Sequence, residues 1–248
     1  MNAIPGQGPY EPRERVCVAL DVDRPDRALE LARLLREHVG VFKVGLELFT
    51  RAGPSIVDSL RELGARVFLD LKFHDIPNTV AGAARSATRL GASMFTIHAS
   101  GGRQMIAAAV SAAVEAASTA HMPPPIILAV TVLTSIDQAT LSGALLTERT
   151  VLDIAQHLAV LARDAGASGV IASPHEASMI RSACGPGFKI VTPGIRPANA
   201  ATGDQKRITT PREAIALGAD YIVVGRPILS APDPVRAARA IAEEIAKG

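Results

Sequence analysis

Eight short, continuously apolar runs punctuate the chain: Val16 to Leu20, Phe42 to Leu46, Val67 to Leu71, Met94 to Ile97, Ile126 to Val132, Val170 to Ala172, Lys189 to Val191 and Tyr221 to Val224. Continuous rather than alternating apolarity predicts strands covered on both faces. Between them lie amphipathic segments such as Pro25 to His38 and Pro211 to Leu217, which predict helices. Four helix-like segments end on a similar motif: Leu63-Gly64-Ala65, Leu90-Gly91-Ala92, Ala165-Gly166-Ala167 and Leu217-Gly218-Ala219. Glycine there predicts a left-handed residue that stops a helix just before the next strand, and Val39-Gly40-Val41 reads as a fifth copy. Repeated βα units, eight in number, predict an α/β fold, a single-domain (β/α)8 barrel over residues 15–248. A doubly wound open sheet is the alternative. It finds no Gly-x-Gly-x-x-Gly turn after the first strand, where Leu20-Asp21-Val22-Asp23 stands instead.

Residues 1–14, rich in Gly and Pro, contain no apolar stretch of the kind that forms a signal peptide and read as a flexible arm. No run approaches the roughly 18 apolar residues of a membrane helix, and Ile106 to Ala117, interrupted by Ser111 and Glu115, reads as an amphipathic surface helix. A net charge of +2 with both signs interspersed, and no Trp, argues against a nucleic-acid partner. Two cysteines, Cys17 and Cys184, are too few for a disulfide framework or a zinc site, and the expected location is the cytoplasm.

Candidate chemistry concentrates in Asp70-Leu71-Lys72-Phe73-His74-Asp75-Ile76-Pro77-Asn78-Thr79. Regular strand alternation puts Asp70 and Lys72 on one face, and charges so close to an apolar run are expensive to desolvate in a core. The segment therefore reads as the end of a strand at the rim of a site, with a structural ion pair as the plainer alternative. In a barrel the catalytic rim is the C-terminal end of the strands. Asp21 ends the first strand, Lys43 lies in the second, Thr134 follows the fifth, Arg196 follows the seventh and Gly225-Arg226 closes the eighth. Glycines and arginines after strands seven and eight suit a phosphate, which points to a phosphorylated small molecule. Lys43, set in Val-Phe-Lys-Val-Gly, needs a carboxylate such as Asp70 if it is buried. His74, His98 and His175 show no ligand spacing, and no metal is expected.

Taken in order, Leu20-Asp21-Val22, Phe42-Lys43-Val44-Gly45, the Asp70 to Thr79 decapeptide, Leu133-Thr134-Ser135, Thr192 to Arg196, Gly203 to Arg207 and Val224-Gly225-Arg226-Pro227 resemble the orotidine 5′-phosphate decarboxylase family. The resemblance runs from about Val16 to the C-terminal helix. It implies cofactor-free loss of carbon dioxide from orotidine 5′-monophosphate to give uridine 5′-monophosphate, the last step of de novo pyrimidine synthesis. It assigns the catalytic array to Lys72, the proton donor, with Asp70, Asp75 and Lys43. It assigns ribose contacts to Asp21 and Lys43, the pyrimidine to Thr134, and the phosphate to Arg196, Gln205, Gly225 and Arg226. It also implies a homodimer in which Asp75 and Thr79 reach the neighbouring site. Two rivals remain: a magnesium-dependent sugar-phosphate decarboxylase or aldolase of the same superfamily, and a non-catalytic phosphate-binding barrel. The first needs a metal-binding acid on strand two, where Lys43 stands and Glu47 lies farther along.

Overall fold

The computed structural model describes residues 11–197 and 209–247. Eight parallel strands close into a barrel in sequence order: β1 (Val16–Ala19), β2 (Val41–Gly45), β3 (Val67–Phe73), β4 (Met94–His98), β5 (Ile126–Val130), β6 (Gly169–Ile171), β7 (Lys189–Thr192) and β8 (Tyr221–Val224). β1 pairs with β8 as well as with β2, which removes the open-sheet alternative. The eight runs seen in the sequence are these strands, with ends shifted by a residue or two. The two-residue shifts are at β3, which continues to Phe73, and at β5, which ends at Val130 short of Val132; Leu46, by one residue, opens the helix Leu46–Ala52 instead of ending β2.

Period-two alternation along each strand sorts the apolar residues into two cores. Cys17, Ala19, Val41, Phe68, Met94, Leu128, Val191, Tyr221 and Val223 form a cluster drawn from strands alone, which is the barrel interior. Their neighbours, among them Val18, Phe42, Leu69, Phe95, Ile190 and Ile222, pack outward against the helices. Lys43 and Asp70 are each two residues beyond an interior residue, Val41 and Phe68, so they too point inward, nearer the C-terminal mouth. The helix Gly102–Thr119 contains the Ala-rich stretch and buries Ile106, Ala109, Ala113, Ala116 and Ala117 on one face.

Gly64, Gly91, Gly166 and Gly218 all have positive φ and stop helices as the repeated motif predicts. Gly40 does not belong with them. It is absent from the positive-φ residues, and a Cβ there would overlap the backbone carbonyl of Glu14. Close approach of the chain, not conformation, requires glycine at that point. Glu14 belongs to the 3-10 turn Pro12–Arg15, which Arg13 ties down by donating from Nη1 to the carbonyl of Glu37 at 2.8 Å. No helix among the described residues is long and apolar enough to cross a membrane.

Candidate active site

Two strands and the segment after β1 carry the charged centre. From β2, Lys43 sends Nζ to within 3.1 Å of Asp21 Oδ1 and 3.6 Å of Asp70 Oδ2. On β3, Lys72 Nζ donates to Asp70 Oδ1 at 2.9 Å. Asp70 thus bridges two ammonium groups, one on each carboxylate oxygen. Lys43 is buried, 8% exposed, and burial alone pulls its pKa down; the carboxylates of Asp70 and Asp21 outweigh that and hold it above the usual lysine value. The ammonium is therefore charged at neutral pH. Gly45 leaves room for it, since a Cβ there would stand 3.0 Å from Lys43 Nζ.

Asp70 and Lys72 do meet, but not through the regular alternation that the sequence predicts. Leu69 pairs with Phe95 and Phe73 with Ile97, so Asp70, Leu71 and Lys72 stand opposite the single residue Thr96. This bulge turns Lys72 into the left-handed region at φ +52°, a conformation that costs a non-glycine residue. Thr96 takes up the ladder bond that the bulge displaces: Lys72 N donates to Thr96 Oγ1 at 2.8 Å, and the hydroxyl donates onward to Asp70 Oδ1 at 3.0 Å. No feature of the sequence at Phe95-Thr96-Ile97 marks this residue, because its partners come from the neighbouring strand.

The charged centre lines a cleft with Phe68, Val130, Val132, Leu133, Thr134, Ile171, Pro193 and Val223. Its walls are largely apolar, and fixed charges act more strongly there than in water. Thr134 lies in the cleft as expected. Asp21 reaches it through Lys43, and Gly225 is adjacent, with a Cβ there standing 3.6 Å from Asp21 Oδ2. Arg226 opens the short helix Arg226–Leu229 directly after β8. Arg196 is buried, and its backbone N–H donates to the carbonyl of Thr209 across a bridge that joins Ile195 to Thr209. Gln205 lies outside the described residues.

Asp75 and Thr79 do not join the centre within one chain. Both are exposed, and Asp75 Oδ1 accepts from the N–H of Ile76 at 2.6 Å. His74 and His98, distant in sequence, stack with ring centroids 5.2 Å apart, because β3 and β4 are neighbours. Burial, then His74 and Lys72, pull the pKa of His98 down against the opposing pull of Asp70. Glu47 lies exposed on the helix after β2, away from the cleft lining.

A family model described as Orotidine 5′-phosphate decarboxylase / HUMPS family matches residues 14–241. The chain belongs to this decarboxylase family. Orotidine 5′-phosphate decarboxylase of Moorella thermoacetica is 55% identical over 235 residues, covering 94% of this chain and 92% of that protein. The crystal structure of orotidine 5′-phosphate decarboxylase from Lactobacillus acidophilus superposes with a TM-score of 0.83 at 41% identity, covering 93% of this chain and 98% of that one. The enzyme of the same name from Pyrococcus horikoshii gives 0.72 at 31% identity, over 94% and 99%. Family membership accounts for the fold.

Proposed function

We propose that this chain decarboxylates orotidine 5′-monophosphate to uridine 5′-monophosphate and carbon dioxide, the last step of de novo pyrimidine synthesis, with Lys72 as the proton donor and residues 15–248 as the catalytic unit. The observation that carries the residue assignment is the Lys43–Asp70–Lys72 array at the mouth of an apolar cleft. Breaking the bond from the ring to the carboxylate leaves an electron pair on a ring carbon. The Lys72 ammonium sits where that charge develops, stabilises it, and delivers the proton that takes the place of carbon dioxide. Asp70, held between two cations, fixes Lys72 and faces the substrate carboxylate. This chemistry asks for no cofactor, because the fixed ammonium supplies both the charge and the proton.

Asp21 and Lys43 hold the ribose hydroxyls, Thr134 the pyrimidine, and Arg196, Gln205, Gly225 and Arg226 the phosphate. Support comes from the barrel: the loops after β7 and β8 are where this fold binds phosphate. The active form is a homodimer in which Asp75 and Thr79 enter the neighbouring cleft. Three exposed apolar side chains on the C-terminal rim, Leu46 after β2, Ile76 after β3 and Leu133 after β5, favour a covered face there. Two free cysteines, Cys17 buried and Cys184 half-buried, suit the reducing cytoplasm. A magnesium-dependent sugar-phosphate lyase is disfavoured by Lys43, whose ammonium occupies the place of that rival's metal-binding acid.

The test is ultraviolet-monitored turnover of orotidine 5′-monophosphate in excess EDTA, with Lys72→Ala prepared identically. Turnover that survives EDTA and falls by at least about 1,000-fold in the variant is expected. A folded wild-type protein that does not turn the nucleotide over refutes the assignment.

A further inference from the structure

We infer that Thr96 is a positioning residue for the decarboxylation, acting through the β3 bulge that holds Lys72 against Asp70. The inference rests on the function proposed above and adds a residue that never touches the substrate. Thr96 is fully buried and absent from the cleft lining, so any effect it has on turnover passes through its two hydrogen-bond partners.

Both partners belong to the proton-donating pair. Its hydroxyl oxygen receives the backbone N–H of Lys72 at 2.8 Å, and its hydroxyl proton goes to Asp70 Oδ1 at 3.0 Å, the same oxygen that accepts Lys72 Nζ at 2.9 Å. One hydroxyl therefore ties the backbone of Lys72 and the carboxylate that receives its side chain into a closed ring. Lys72 sits at φ +52°, which a lysine keeps only where its surroundings over-determine it. With the ladder interrupted between Leu69 and Phe73, the bond from Lys72 N to Thr96 is what the neighbouring strand offers in compensation. Remove the hydroxyl and the part-buried N–H loses its acceptor, the bulge loses its tie, and Asp70 Oδ1 keeps only the ammonium to orient it. Proton delivery depends on where Nζ stands to within fractions of an ångström, whereas ribose and phosphate binding draw on other strands.

Thr96→Val, nearly isosteric, deletes both bonds; Thr96→Ser keeps the hydroxyl; Thr96→Ala is the second deletion should valine not fold. In the turnover assay the deletion is expected to lower kcat about 10- to 100-fold with KM changed less than about 3-fold, and serine to restore kcat to within about 3-fold of wild type. A readout independent of turnover is exchange of the Lys72 amide followed by nuclear magnetic resonance. It should be protected in wild type and Thr96→Ser and exchange at least about 10-fold faster in the deletion variants. Unchanged kcat in the deletion variants, a serine variant as impaired as valine, or equal amide protection in all variants overturns the role. If wild-type protein lacks turnover while the exchange pattern holds, the decarboxylase reading fails and the tie between Thr96 and Lys72 stands.

Discussion

Gly40 and Gly64 each follow a helical segment and precede an apolar run, yet they are glycine for different reasons. Gly64 takes φ +76° with open space where a Cβ would project, so its requirement is conformational. Gly40 is pressed against the backbone of Glu14, so its requirement is steric. Gly64→Ala should cost about 1 kcal/mol, and Gly64→Asn should recover part of it, because asparagine tolerates the left-handed region. Gly40→Ala should cost about 1 to 3 kcal/mol, and Gly40→Asn more, because each added atom forces the Pro12–Arg15 turn away from β2. Urea unfolding of the four variants distinguishes the two mechanisms; the same rank order of Ala and Asn at both positions would contradict them. The sequence shows two similar motifs, and the difference lies in a contact between segments roughly 26 residues apart in the chain.

At the scale of an element, the helix Pro174–Cys184 shows how burial changes a local signal. Ser173-Pro174-His175-Glu176 is a capping-box signature, and the box forms: Ser173 N donates to Glu176 Oε2 at 3.0 Å. Glu176 is also only 4% exposed, and burial pushes its carboxyl up to about 7 in spite of that bond. Below about pH 4.5 the group is protonated whether the chain is folded or not, and it makes no difference to stability. Between about 4.5 and about 7 the folded state holds a proton that the unfolded state releases, so rising pH destabilises the fold, by about 3 kcal/mol at most once both states are ionised. Glu176→Gln keeps an acceptor for Ser173 and removes the titration. The stability of the variant relative to wild type should therefore rise by about 1 to 3 kcal/mol between pH 4.5 and 8 in denaturant titrations. Parallel curves for the two proteins would refute the buried-acid account. The capping box depends on residues three apart in the chain, whereas the shifted acid depends on what packs over the helix.

Across the whole molecule, charges divide by end of the barrel. At the N-terminal end Asp220 accepts from Arg181 Nη2 at 2.6 Å and from the N–H of Ile190 at 2.8 Å, joining a helix, β7 and the entry to β8. At the C-terminal end Asp70 is shared by two lysines beside an open cleft, where charge is available to a ligand. Asp75 and Thr79 are exposed next to Ile76, and this placement gives the shared-site homodimer its test. Lys72→Ala and Asp75→Ala, each inactive alone, should on mixing recover about a quarter of wild-type activity. Half of randomly paired dimers are hybrids, and each hybrid holds one intact site of two. No recovery after verified subunit exchange would rule out sharing. Strand number, helix stops and the rim positions of Asp21, Lys43, Asp70 and Lys72 were legible in the chain because apolar runs and glycine conformations are local. The bulge at Lys72, the Thr96 tie, the His74–His98 stack and the apolar cleft walls were not. Each depends on which residues of adjoining strands come to lie side by side, and that register is settled by closure of the barrel, a condition on all eight strands together.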